Sequence, residues 1–230
     1  MTVSRGFYKK IQQWIMDNEI GDCTFQPFQV DGNPYKSKVF LVGASPEPKL
    51  EINYNDLNLY VESLVDIELF QDAFSEELQT ASREYKGCLK FISWMKEHYN
   101  ENIVLTNVNC LPVESAQKLK QMRKEQHRLY KRGLEIFEEV VNEFEPEILV
   151  LQGSSSYKSF IDNFGDKLVD FIGKDTSDTV QQLEQKGVIA KLPLKNGKNV
   201  NILVCRSMGY FGKEGSTFGD FKATLERILQ

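Results

Sequence analysis

The chain has 230 residues, of which 41% are hydrophobic and 27% are charged, and its formal net charge is −5 at pH 7. This length suits one large α/β domain over residues 1–230, and the acidic balance gives no general reason to expect nucleic acid as a partner. No apolar run approaches the ~20 residues of a membrane-spanning helix, and the amino-terminal sequence lacks the apolar core of a signal peptide. We therefore expect a cytoplasmic protein with no membrane partner.

The cysteines and histidines argue against metal chemistry. Four cysteines are scattered without a CxxC pair, and the chain contains two histidines. This spacing supports neither a zinc site nor an iron–sulfur cluster, and a reducing compartment argues against disulfides. We expect no metal and no cofactor, and catalysis by histidine has little to draw on.

Apolar periodicity predicts helices and strands that alternate along the chain. In chain order, the predicted elements are a helix over residues 5–17, a strand over Lys38–Val42, mainly helical structure over 55–99, a strand over Ile103–Thr106, a long helical pattern up to Phe144, a strand over Ile148–Leu151, a hairpin of two strands with its turn at Lys195–Lys198 and its second strand over Asn201–Cys205, and a helix over Thr217–Ile228.

This alternation predicts a three-layer α/β/α fold with a central, mostly parallel sheet. The loops that follow the strands, at Gly43, Asn107, Gly153 and Arg206, should then gather at one edge of the sheet. That edge is where α/β proteins bind ligands. At Gly43 an apolar strand runs directly into a loop with two prolines and two acids.

One basic segment stands out on the acidic chain. Residues 118–132 carry seven Lys or Arg and one Glu, and an acidic stretch follows. In a single helix this order would oppose the helix macrodipole. A break near Gly133 would explain the order, and so would contact with a polyanion through residues such as Arg123, Lys124 and Arg128. A solvated helix face is the plainer interpretation.

Four segments at the predicted strand ends occur in a distinctive order. They are VGASPEP at 42–48, LTNVNCLP at 105–112, ILVLQGSSSYKSF at 148–160 and ILVCRSMGYFG at 202–212. Together they resemble the uracil-DNA glycosylase superfamily, and the resemblance covers residues 36–229. In that superfamily the first segment holds a Gly-x-x-Pro loop that handles water, and the second ends in an asparagine that reads the base edge. The third begins a helix with small residues, and the fourth carries a His-Pro-Ser-type loop.

The resemblance implies a pocket for a base flipped out of DNA. Asn107 would read the base edge with its amide donor and acceptor, or else satisfy loop backbone at a strand end. Gly43 would allow close approach, and Tyr54 would stack on the base. Ser154 would bind phosphate at a helix N-terminus, although a serine helix cap is the plainer interpretation. Ser207 and Tyr210 would contact DNA, Tyr210 or its neighbour as a wedge.

The departures from that pattern concern catalysis. Ser45 stands where the best-known branch has an aspartate, so Glu47 or Glu51 would supply the carboxylate. Arg206 stands near the usual histidine and would stabilise the departing base anion.

We therefore expect a monomeric hydrolase without a cofactor, a divergent DNA glycosylase acting on uracil or another modified base in single- or double-stranded DNA. The alternatives are a weak or inactive relative that binds nucleic acid or a nucleotide, and an unrelated α/β hydrolase.

Overall fold

The structure is a computed structural model that describes residues 4–16, 25–46, 50, 57–113, 115–172 and 178–229. The helices are α1 (Arg5–Ile15), α2 (Leu57–Ser63), α3 (Ile67–Ala73), α4 (Ser75–Gln79), α5 (Arg83–Tyr99), α6 (Ala116–Lys124), α7 (Arg128–Phe144), α8 (Gly153–Phe164), α9 (Val180–Lys186) and α10 (Gly219–Leu229). The strands are β1 (Val39–Gly43), β2 (Ile103–Asn107), β3 (Ile148–Gln152), β4 (Val188–Pro193) and β5 (Asn199–Cys205). Within these ranges, no helix has the length and apolar character needed to cross a bilayer.

The five strands form one sheet in the order β2-β1-β3-β5-β4. β1 pairs in parallel with β2 and β3, and β3 pairs in parallel with β5, whereas β4 runs antiparallel at the edge. In the turn of the β4–β5 hairpin, the Leu194 amide donates to the Lys198 carbonyl at 2.8 Å, and Gly197 adopts a φ of +85°. The predicted mostly parallel sheet and its hairpin are confirmed.

Helices cover both faces of the sheet, because successive side chains of a strand point to opposite faces. Phe40 and Val42 pack into one core with residues of α1, α7 and α8. Val39 and Leu41 pack into a second core with residues of α5 and α10. Strands buried on both faces read as continuous apolar runs. The predicted three-layer α/β/α fold is confirmed.

Short extended stretches lie along both edges of the sheet. Gln29 bridges the outer side of β2, where it exchanges two backbone hydrogen bonds of 2.8 Å with Leu105. At the opposite edge, Val169 exchanges two backbone hydrogen bonds of 2.9 Å with Lys191 of β4. Residues 25–30, called the edge segment below, therefore run beside β2.

The basic segment is divided between two helices. α6 ends at Lys124 and α7 begins at Arg128, so the break lies well before Gly133, and the suggested break near Gly133 is wrong. Arg123 and Lys124 occupy the last turn of α6, where cations are favourable to the helix dipole. Arg128 begins α7, whose acidic residues follow its basic ones, so the order that opposes the macrodipole remains in α7.

Other predicted boundaries shift by a residue or two. α1 ends at Ile15 because Met16 is already extended, and α10 begins at Gly219. The helical region over 55–99 is divided into α2 to α5, and the side chains of Asp66 and Ser82 cap α3 and α5.

Close packing joins α5 to the 3₁₀ turn Met208–Tyr210 that follows β5. A Cβ built at Gly87 would lie 1.9 Å from the Met208 carbonyl oxygen. Because that atom belongs to the backbone, neither partner can move aside cheaply. The absence of a side chain at Gly87 thus fixes how closely α5 approaches the turn.

We expect Gly87→Ala to lower the free energy of unfolding by about 1–3 kcal/mol, the usual cost of overpacking a core. Urea denaturation measures this change. Gly6→Ala is the matched control, because a Cβ there meets nothing within 4 Å and alanine is the better helix former. Equal stability of the two variants would show that α5 and the turn do not pack as described.

Candidate functional site

A polar cavity of about 170 Å³ opens at the carboxyl ends of β1, β2 and β3. We call it the strand-end cavity. The three strands deliver residues to it because parallel strands end at the same edge of the sheet. Its polar side chains are Ser45, Glu84, Asn107, Gln152 and Ser155.

Gly43 and Asn107 lie side by side as the last pair of the β1–β2 ladder. A Cβ built at Gly43 would lie 2.4 Å from Asn107 Oδ1, so the glycine makes room for the amide. Among the described residues, the Asn107 side chain has no hydrogen-bond partner, and it is half-buried. Its donor and acceptor are thus available to a ligand in the strand-end cavity.

Asn109 has a different role from Asn107. Its side chain is fully buried, its Nδ2 donates to the Tyr130 carbonyl at 2.9 Å, and its Oδ1 accepts from the Leu111 amide at 3.0 Å. A Cβ at Gly133 would lie 2.1 Å from that oxygen. Asn109 therefore satisfies loop backbone, and Gly133 is a packing residue inside α7.

The strand-end cavity contains a carboxylate that the sequence did not indicate. Glu84, in the first turn of α5, lines the cavity and accepts a hydrogen bond from the Ser207 hydroxyl. Ser207 comes from the loop after β5, so this bond joins two distant segments. No sequence pattern connects a helix residue to this sheet edge.

Gln152, the last residue of β3, was also missed. Its Oε1 accepts from the Met208 amide at 3.3 Å and lies 3.5 Å from Cys88 Sγ. Its position gave a signal, because a polar residue ends the apolar strand just before Gly153. The sequence analysis gave weight to Gly153 and the serines after it instead.

Arg206 does not line the strand-end cavity. Its Nη2 donates to Glu184 Oε1 at 2.9 Å, its backbone amide donates to Glu184 Oε2 at 2.8 Å, and Glu184 is 4% exposed. The guanidinium also donates to the Thr217 carbonyl and lies 4.8 Å from the centre of the Phe218 ring. These contacts pair the cation with a buried carboxylate, while 29% of the Arg206 side chain stays exposed. The structure therefore does not bring Arg206 into the strand-end cavity with Gly43, Ser45 and Asn107.

The remaining predicted residues divide into three groups. Ser154 is exposed at the start of α8. The N-cap residue of α8 is Gln152, and its side chain makes no capping hydrogen bond, so the serine-cap interpretation is wrong. Tyr210 is 63% exposed with the Arg83 guanidinium 5.1 Å from its ring centre, whereas Phe211 is buried in the core and cannot be a wedge. The three expected residues that lie outside the described part of the chain are Glu47, Glu51 and Tyr54.

A second cavity of about 240 Å³ adjoins the first and shares Ala44 and Ser155 with it. We call it the basic groove, because Lys120 and Arg123 of α6 and Lys158 of α8 line it. Arg123 is paired with Asp162 at 2.5 Å. Lys124 and Arg128 are exposed but do not line the groove.

Burial argues against two of the cysteines, Cys110 and Cys205, as nucleophiles. Burial raises the pKa of the Cys110 thiol to about 12 and raises the pKa of Cys205 as well. A thiol must ionise to attack, so both remain inert near neutral pH. In the described ranges, no three His, Cys, Asp or Glu side chains are grouped as a metal site.

No protein-family model matches the sequence, and a comparison with curated proteins finds no match. What the chain does must therefore be inferred from the chemistry of the strand-end cavity and its surroundings.

Arg206→Ala should lower the free energy of unfolding by about 3 kcal/mol, the lower end of the range for breaking a buried ion pair. The variant leaves the buried Glu184 carboxylate with the backbone amide of residue 206 but without a cation. Guanidinium denaturation measures the loss. The double variant Arg206→Met, Glu184→Gln should recover much of it, since removing both charges is far less costly than removing one. A single variant as stable as the wild type would show that the Glu184 carboxylate does not depend on the Arg206 cation.

Proposed function

We propose that the strand-end cavity binds a nucleobase flipped out of DNA and that the chain is a divergent DNA glycosylase. The observation that carries the proposal is the meeting of Gly43, Asn107 and the Glu84 carboxylate in one cavity at the ends of parallel strands. An amide that can both donate and accept suits the polar edge of a base. A carboxylate beside it suits the cationic sugar of an N-glycosidic cleavage.

In this proposal, water attacks C1′ of the sugar as the bond from C1′ to the base nitrogen breaks, and the bonding electrons leave with the base. Glu84 stabilises positive charge on the sugar or orients the water. The Ser207 hydroxyl holds the Glu84 carboxylate in place. Ser45 also lines the cavity and offers a further hydroxyl contact. The alternative to Glu84 as the carboxylate is Glu47 or Glu51, as the sequence predicted.

A second candidate is a glycosylase-like protein that binds a base or nucleotide without turnover. The sequestered Arg206 favours it, because the cation expected to stabilise the departing base is committed to Glu184. A site with one carboxylate and no cation at the leaving group would be slow.

The test is base release from oligonucleotides that carry uracil or other lesions, single- and double-stranded. We expect Glu84→Gln to lower the single-turnover rate by about 10²–10³, the usual effect of removing one preorganised electrostatic group, with little change in oligonucleotide affinity. Glu97→Gln, an exposed position near the other end of α5, is the matched control and should leave the rate unchanged. No release from any lesion with firm, Asn107-dependent binding would establish the second candidate, and neither release nor binding would overturn both.

The basic groove supports DNA as the ligand, because it continues from the strand-end cavity past Ala44 and Ser155. Lys120 and Lys158 lie where the phosphates flanking a flipped base would pass. Arg123 contributes less to the affinity for DNA, because its charge is paired with Asp162.

Lys120→Glu with Lys158→Glu should weaken oligonucleotide binding and reduce the slope of log K against log salt by about two, one for each lost phosphate contact. Fluorescence anisotropy across a salt series measures this slope. Lys36→Glu with Lys195→Glu makes the same charge change at exposed positions next to the amino-terminal ends of β1 and β5, away from the groove. Equal effects of the two pairs would mean that only the overall charge matters.

A further inference from the structure

A third, narrow cavity lies between the edge segment and the strand-end cavity. Its volume is about 40 Å³, and Gln26 and Gln29 of the edge segment line it. It shares Tyr85, Leu105 and Asn107 with the strand-end cavity. We call it the glutamine cavity. A group that projects past Asn107 from the larger cavity would enter the smaller one.

The backbone holds both glutamines in place. Gln29 is paired with Leu105 of β2, and the Gln26 amide donates to the Cys110 carbonyl at 2.9 Å. The main chain of neither residue can move away from the cavity without breaking these bonds.

Tyr85 fixes the Gln29 side chain. Burial raises the pKa of the Tyr85 hydroxyl and outweighs the opposite effect of its hydrogen bond with Gln29. The hydroxyl therefore keeps its proton and donates to Gln29 Oε1 at 3.0 Å. This bond directs the other end of the amide, the Nε2 donor, away from Tyr85.

Among the described residues, neither Nε2 donor has a partner. The Nε2 atoms of Gln26 and Gln29 are both buried without a hydrogen bond to any described residue, and Gln29 as a whole is 5% exposed. Folded proteins leave few buried polar groups unsatisfied, and each such group carries a desolvation cost. Two residues with unsatisfied donors line one small cavity, which indicates that an acceptor belongs there.

We propose that Gln26 and Gln29 determine specificity by donating hydrogen bonds to a carbonyl oxygen of the bound base. This inference rests on the proposed function, and it adds the chemical class of the base edge. A cavity of about 40 Å³ holds a carbonyl oxygen and not a ring. The ring would occupy the strand-end cavity beside Asn107. An exocyclic amino group in place of the carbonyl would bring donor against donor, so a base that presents its amino group at this point is rejected.

An ordered water is the competing occupant, since a polar cavity of this size accommodates one. A structural water would satisfy the glutamines in the free protein. With such a water in place, replacing the glutamines would not change the ratio of the affinities for carbonyl and amino bases.

The experiment uses calorimetry to measure the affinity of free bases in two pairs, uracil against cytosine and hypoxanthine against adenine. The members of a pair differ in one exocyclic group and in the protonation of the adjacent ring nitrogen, so the comparison of variants with the wild type, and not the wild-type ratio alone, assigns the effect to the glutamines. The wild type should bind at least one carbonyl member about tenfold more tightly than its amino partner, since a lost hydrogen bond and an unpaired donor amount to roughly that factor. Gln26→Met should reduce this ratio. Gln29→Met is made together with Tyr85→Phe, so that the tyrosine hydroxyl is not left unpaired. Tyr99→Phe, which removes a tyrosine hydroxyl at the far end of α5, is the matched control. The double variant should bring the ratio towards one while the control keeps it.

Thermal unfolding of the same variants gives a second readout. Replacing an unsatisfied amide by an apolar side chain of similar length should leave the Tm unchanged or raise it. A large fall in Tm for Gln26→Met would show that the amide already has a partner in the free protein, which overturns the inference. An unchanged carbonyl-to-amino ratio in both glutamine variants, or a wild-type preference for amino bases, also overturns it and leaves the proposed function standing. Failure of the wild type to bind any base, free or in oligonucleotides, removes the proposed function and this inference with it.

Discussion

The strand-end cavity depends on the last pair of the β1–β2 ladder, in which Gly43 lies opposite Asn107. The missing side chain at Gly43 gives the Asn107 amide its place against the main chain. A slip of one residue would turn Asn107 to the other face of the sheet and bring forward Thr106, whose hydroxyl is committed to the Pro27 carbonyl. The Val108 amide, which donates to the Gly43 carbonyl at 2.8 Å, holds the register beyond the end of the strands. The register of the β1–β2 pair therefore determines that the side-chain amide of Asn107 is available to a ligand.

The opposite wall of the cavity depends on the loop that follows β5. Arg206 anchors this loop, because both its backbone amide and its side chain bond to Glu184. The next two residues reach the cavity wall, Ser207 through Glu84 and Met208 through Gln152. Arg206 is therefore a positioning residue: its charge stabilises the loop that orients the polar groups, and it does not face the cavity itself.

The sequence predicted what depends on local pattern and missed what depends on distant partners. Strands such as β1 and β3 were found because burial on both faces leaves continuous apolar runs, and Asn107 was found because it ends such a run. Arg206 was misplaced because its partner, Glu184, lies on α9, away from the loop after β5 in the sequence, and the sequence does not show whether a charge is paired. Glu84 was missed for the same reason, since only the packing of α5 against the loop after β5 brings it to the sheet edge. The break before α7 was misplaced because glycine is a poor helix former. In the structure Gly133 lies inside α7, where the absence of a Cβ makes room for the Asn109 side chain.

The edge segment has a consequence for self-association. An exposed edge strand presents unpaired backbone groups on which another chain can add a strand. Gln29 occupies the outer side of β2, and Val169 does the same for β4, so the described sheet offers neither edge freely to a second copy. The same few residues that line the glutamine cavity thus also protect the sheet from intermolecular pairing. If the edge segment selects the ligand as proposed, changes that loosen residues 25–30 to widen ligand choice would also uncover β2 and favour aggregation.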